Sequence, residues 1–208
     1  MKNIKIYLNN QAKAVKGWCS EDKAMKLFEI ITKNKLECCV EIGVFGGSSL
    51  FPQAIALKNN GAGFIYGIDP WSNKIALEEM KNDKNLDFWS KVPMEEIYNH
   101  FINLKKSMNL CKYVKVLRKK SIQAVKQFED GQIDLLHIDG NHSEKNAFED
   151  AKLFYPKVKV GGFIFFDDTT WMDGSISPTT QKGFNYLMQF CEKVCELGKD
   201  CVVMKKIK

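Results

Sequence analysis

The sequence predicts a single α/β domain built on a mostly parallel, doubly wound sheet with helices on both faces. Three observations predict it. Short apolar runs alternate with amphipathic stretches along nearly the whole chain, the pattern that sets crossover helices between parallel strands. The runs are continuously apolar rather than alternating, as in strands covered on both faces. At 208 residues the chain is long enough for one sizeable core and short for two.

The elements follow in order. Residues 21–35 (EDKAMKLFEIITKNK) carry helical periodicity, with Ser20 as N-cap. CCVEIGV at 38–44 is the first strand. SLFPQAIALKNN at 49–60 is a helix that tolerates Pro52 in its first turn and stops at Gly61. GFIYGID (63–69), YVKVL (113–117) and IDLLHID (133–139) are the next three strands. The stretch 143–158 is a helix closing near Pro156, and GGFIFFDD (161–168) is the fifth strand. A helix near 180–197 and a strand at 201–207 complete the chain. Residues 71–112 hold Trp71, Phe88, Trp89 and Phe101 among many polar residues and fit no sheet strand. They are expected to form a lid that selects the ligand, with Trp18 and Trp171 each either a further wall or a packed ring.

Composition narrows the partners. The net charge of +6 comes from dispersed lysines. The densest basic run, 105–120, lacks the interleaved aromatics of single-strand binders, so nucleic acid is disfavoured. No apolar run approaches the ~20 residues of a membrane span, and the N-terminal stretch has no apolar core of a secretory signal. The seven cysteines are scattered without a C-x-x-C. Cys191 and Cys195 fall one turn apart on the expected last helix, but nothing nearby completes a zinc set. Reduced thiols in a cytoplasmic protein are the expectation.

Ligands of such sheets bind beyond the carboxyl ends of the strands. There the chain sets Glu41 with a glycine loop (Gly43, Phe45, Gly47, Ser49), Asp69, Ser121, Asp139, and the pair Asp167 and Asp168. Glycines let the loop turn tightly and approach a ligand at the start of the next helix. Asp69 can accept from ribose hydroxyls. Such a loop serves NAD, FAD and S-adenosylmethionine alike. Three acids on one rim would repel unless a cation sits among them, and carboxylates suit a hard divalent ion. His137, deeper in the same strand as Asp139, reads as a hydrogen-bonded core histidine, and Trp71 as either an adenine platform or a packed ring.

In this order and spacing VEIGVFGGSSL, GIDPW, LLHIDGNHS and GGFIFFDD resemble class I S-adenosylmethionine-dependent methyltransferases. They are most similar to the metal-dependent O-methyltransferases of the catechol and the macrocin and mycinamicin sugar types. The resemblance covers roughly residues 18–170. It implies a seven-stranded Rossmann-like sheet, with S-adenosylmethionine and Mg²⁺ (or Mn²⁺) as cofactors. It sets Glu41 at the methionine amine, Gly43, Phe45, Gly47 and Ser49 along the methionine end, Asp69 on the ribose and Ser121 near the adenine. Asp139, Asp167 and Asp168 match the metal ligands, Asp139 also standing beside cofactor and chemistry, and His142 matches the catalytic base. The catechol enzyme carries Lys where His142 stands and the sugar enzymes carry His, which points to a sugar-type or other aliphatic hydroxyl on a small-molecule acceptor. A homo-oligomer stays open.

Two rivals share the fold class. An NAD-dependent oxidoreductase would use Asp69 and a Y-x-x-x-K match, Tyr155 to Lys159, but Pro156 lies inside that match and breaks the helical face it needs. A nucleic-acid methyltransferase would carry a D/N-P-P-Y/F stretch or a Pro-Cys nucleophile, and the sequence has neither.

Overall fold

The computed structural model describes residues 2–208. Its centre is a seven-stranded sheet in the order β3-β2-β1-β4-β5-β7-β6. The strands are β1 (Cys38–Ile42), β2 (Phe64–Ile68), β3 (Val114–Leu117), β4 (Ile133–Ile138), β5 (Val158–Phe166), β6 (Cys191–Leu197) and β7 (Cys201–Lys206). The first five are parallel, and β7 runs antiparallel between β5 and β6. The order reverses between β1 and β4, so two successive crossovers leave in opposite directions and open a crevice there. Apolar cores lie on both faces of the sheet.

Local chemistry sets the helices. Helix α1 spans Lys2–Asn10. In α2 (Glu21–Asn34) the Ser20 hydroxyl accepts from the Lys23 amide at 3.1 Å, and Glu21 and Asp22 complement the positive N-terminus. Its apolar stripe buries Leu27, Phe28 and Ile31. Helix α3 (Leu50–Asn60) ends at Gly61, whose φ of 73° suits the left-handed cap. Short helices α4 (Asn73–Ala76) and α5 (Asp83–Lys91) precede α6 (Met94–Ser107); α7 (Ser121–Ala124), α8 (Glu144–Phe154) and α9 (Gln181–Met188) complete the set.

Two expectations change. The expected last helix stops at Met188, and residues 191–197 form β6. In CEKVCEL the residues Cys191 and Cys195 share a face under a period of two as well as of four, so periodicity alone could not decide. The open edge of β7 decided: β6 pairs along it from Cys191 opposite Lys206 to Leu197 opposite Cys201. With β6 the sheet has seven strands. Residues 71–112 also split. Helices α4 and α5 stand over the crevice, but α6 covers the sheet, with Ile97 and Phe101 in the core and Phe101 stacked on Phe51 at 5.4 Å.

No described helix is long and apolar enough to cross a membrane. All seven cysteines are free.

Candidate active site

The crevice at the strand carboxyl ends is a cavity of about 990 Å³. Its size is that of a cofactor pocket. One wall is the glycine loop. Gly43 has φ 86°, and a Cβ there would lie 1.8 Å from the Asp139 carbonyl oxygen, so only glycine lets β1 and β4 approach so closely. Phe45, Trp71 and Asp168 hold φ of 50°, 44° and 57°. Such left-handed non-glycine residues store strain of roughly 1–3 kcal/mol each and gather at functional sites. Asp69 holds two of them: Oδ2 accepts from the Val44 and Phe45 amides at 3.0 and 2.9 Å, and Oδ1 from the Trp71 amide at 2.6 Å. Burial raises the Asp69 carboxyl above its ordinary range against these three bonds.

Most of the expected site residues meet at this cavity. Gly43, Phe45, Ser49, Asp69, Ser121, Asp139, His142, Asp167 and Asp168 all line it. Glu41 and Gly47 do not. Gly47 is needed for packing, since a Cβ there would meet Phe51 and Phe101 at 2.9 Å. Glu41 is fully buried beneath the loop, where it accepts from Ser49 Oγ at 3.0 Å and Gln53 Nε2 at 2.5 Å. Trp71 is a packed ring: it stacks on Phe101 at 5.6 Å and donates from Nε1 to the Phe45 carbonyl at 2.8 Å. Tyr155 and Lys159 do not share a helical face; Lys159 sits on β5 and pairs with Asp134 at 2.6 Å.

A buried polar chain runs under the acid rim. Glu41 and His137 lie opposite each other on β1 and β4. His137 Nδ1 bonds Glu41 at 3.1 Å and Nε2 bonds Asp167 at 2.9 Å. Burial alone would lower the His137 pKa, but the bonds to Asp167 and Glu41 outweigh it and raise it to about 10. The same Asp167 oxygen takes Lys23 Nζ at 2.5 Å. Burial opposes the ionised form of Asp167, yet His137 and Lys23 hold its pKa below the usual range. Asp139 is raised well above its range by burial and by the carboxylates of Asp167 and Asp168.

Above this chain the rim opens to the cavity. His142 Nε2 lies 3.3 Å from Asp168 Oδ2, and its ring leans on Trp171 at 4.6 Å. Ligand atoms of Asp139, His142 and Asp168 all fall within 4.8 Å of one another, as do those of His137, Asp139 and Asp167. Asp167 Oδ1 is buried with no hydrogen-bond partner. Oxygen-rich donors, mutual repulsion at Asp139 and that orphaned oxygen fit a hard divalent cation.

Sequence reasoning missed three contributors. Lys23 looks like any surface lysine and reaches the rim only because α2 packs there. Asn141 reaches back from the β4 end, its Nδ2 donating to the Ala76 and Glu78 carbonyls at 3.1 Å and so tying the α4 turn over the cavity. Asp150, on α8, faces the cavity beside the Ser121 hydroxyl, and burial raises it to about 7. Folded chains thus hold a proton that unfolded chains release above pH ~4, and stability falls as pH rises from there to about 7 and then levels. Asp150→Asn should abolish that slope. The unfolding free energy of the variant, from denaturant titration, should match wild type near pH 4 and exceed it at pH 8, by up to about 4 kcal/mol; equal stability at pH 8 would contradict the assignment.

A parallel sheet in this order, with a glycine loop and an acid at the next strand end, defines a Rossmann-like protein, a class of sheet whose ligand sites lie at the switch point. Residues 40–169 match the methyltransferase domain family, and the chain belongs to that family. It is 25% identical over 168 residues to a caffeoyl-CoA O-methyltransferase of Pinus taeda, covering 81% of this chain and 56% of the relative. Among solved structures it is similar to the O-methyltransferase TomG of Streptomyces achromogenes in complex with SAM (TM-score 0.68, 11% identity, 100% of this chain and 96% of the other). It is also similar to the SAH-bound methyltransferase PaMTH1 of Podospora anserina (TM-score 0.66, 13% identity, 100% and 87%). The chain spans 13% to 67% of the length of the curated relatives it matches.

Proposed function

We propose that the protein is an S-adenosylmethionine-dependent, metal-assisted O-methyltransferase acting on a hydroxyl of a small molecule or sugar. One observation carries the reading: the glycine loop with Asp69 and the rim of Asp139, Asp168 and His142 open into the same cavity. The similarity to caffeoyl-CoA O-methyltransferase in sequence and to the O-methyltransferase TomG in fold supports it.

Cofactor is held between the loop and the β2 end. Asp69 stiffens the loop and offers its remaining acceptor capacity to the ribose, while Glu41 supports the methionine end from below through Ser49. Ser121 and Asp150 lie toward the adenine. Asp139, Asp167 and Asp168 would hold a divalent ion, which would lower the acceptor hydroxyl's pKa and fix its direction. His142 then takes the hydroxyl proton. With Nε2 facing Asp168, Nδ1 is the accepting nitrogen, and Asp168 stabilises the imidazolium. Bound S-adenosylmethionine would supply the methyl group, its carbon–sulfur bond breaking as the acceptor oxygen bonds the carbon and the electron pair returning to sulfur. Alignment of oxygen, carbon and sulfur supplies the rest.

The acceptor wall is aromatic. Trp18 stacks on Phe45 at 5.4 Å, and Phe88 and Trp89 close against them at 5.9 to 6.2 Å. All four line the cavity. With α4 and α5 as lid, this wall favours an acceptor with a flat or ring-shaped apolar face.

Adenosylhomocysteine release from S-adenosylmethionine should therefore appear with a ring-bearing hydroxyl acceptor, vanish with chelator, and return with Mg²⁺ or Mn²⁺. Undiminished turnover in excess chelator would remove the metal from the reading. Tighter binding of NAD than of adenosylhomocysteine would remove the cofactor class.

A further inference from the structure

The acid rim already contains a cation of the protein's own. Lys23 leaves the first turn of α2, reaches the cavity wall, and sets Nζ 2.5 Å from Asp167 Oδ2 with its side chain 11% exposed. His137 Nε2 meets that same oxygen at 2.9 Å. Asp167 Oδ2 is therefore engaged twice, by buried His137 and by partly buried Lys23, while Asp139, His142 and Asp168 remain partly exposed to the cavity. A divalent ion approaching this rim meets a positive charge already seated on one of its three carboxylates.

We propose that Lys23 is the resident counter-cation of the rim and competes with a divalent ion for Asp167, so that it weakens metal binding. The inference rests on the metal reading above. Its physics is Coulombic. An ammonium a few ångströms from a doubly charged ion repels it in a setting less screened than bulk water, and it also neutralises the carboxylate the ion would use. Full coordination by Asp167 requires the lysine to withdraw. Without it, Asp167 Oδ2 keeps only His137 as a partner, and an external cation gains what the ammonium supplied.

The experiment is calorimetric titration of Mn²⁺ into the whole protein, comparing wild type with Lys23→Gln, Lys23→Met and Asp139→Asn. Glutamine keeps a hydrogen-bond donor for Asp167 without the charge, so it reports even if the methionine variant does not fold, which circular dichroism checks. Both lysine variants should bind Mn²⁺ at least tenfold more tightly than wild type, and Asp139→Asn more weakly. Unchanged or weaker Mn²⁺ binding in folded Lys23→Gln, with binding lost in Asp139→Asn, would overturn the competition and leave the metal site standing. Equal heats in all four proteins would overturn both. A parallel titration with adenosylhomocysteine separates another role. A tenfold loss there with unchanged Mn²⁺ affinity would make Lys23 a contact for the cofactor carboxylate and would also overturn the proposal.

Discussion

His142→Ala should slow methyl transfer by about 10²–10⁴-fold, the usual contribution of a positioned general base. Cofactor affinity should stay nearly intact, because the side chain lies on the rim with Asp168 and Trp171 rather than in the glycine loop. The fold should also survive. Ser143, not His142, caps α8 by accepting from the Asn146 amide. The loop's backbone is fixed separately, with the Thr179 hydroxyl donating to the His142 carbonyl at 2.5 Å. Steady-state rates with saturating cofactor, and adenosylhomocysteine titration, check the two halves. Added imidazole should restore part of the rate to the alanine variant by entering the space beside Trp171. A variant as fast as wild type would return His142 to a loop-packing role and give the proton to water or to another group.

His137→Leu should cost about 3–5 kcal/mol of stability, the range for breaking a buried charge cluster by removing one partner. The imidazole is fully buried and bridges Glu41 and Asp167. Leucine would leave Glu41 with only Ser49 and Gln53, and Asp167 with only Lys23. For a chain of this size that loss lowers Tm by roughly 6–20 °C. Urea midpoints and thermal melts measure it, and a loss below 1 kcal/mol would mean the carboxylates find other partners. Lys193→Ala breaks the exposed pair with Glu196 and should change neither midpoint measurably.

Much of the site is legible in the sequence. Asp139, Asp167 and Asp168 end apolar strand runs, and the glycine loop lies between a strand and a helix; both are local patterns. The Glu41–His137 pair had a weaker signal: each polar residue interrupts an apolar run two positions before the rim, at Gly43 and Asp139. Strand parity makes such residues neighbours only if β1 and β4 pair in register, as they do. The last element was ambiguous because CEKVCEL satisfies two periods. The lid was half misplaced because Phe88 and Phe101 look alike in sequence, while only Phe101 is covered by Phe51 and Trp71.

By itself the sequence determined the class of sheet, the positions of its first five strands along the chain, and the carboxylates and histidine at their ends, because strand runs, glycine turns and helix caps are set by neighbours a few residues apart. Only the tertiary structure decided which charges meet. Lys23 and Asp167 stand 144 positions apart in the chain, and Glu41 and His137 stand 96 apart. No local preference encodes such pairs. They form because burying the faces of α2, β1, β4 and β5 against common cores leaves their polar ends in one place, where an unpaired buried charge would be too unfavourable to keep.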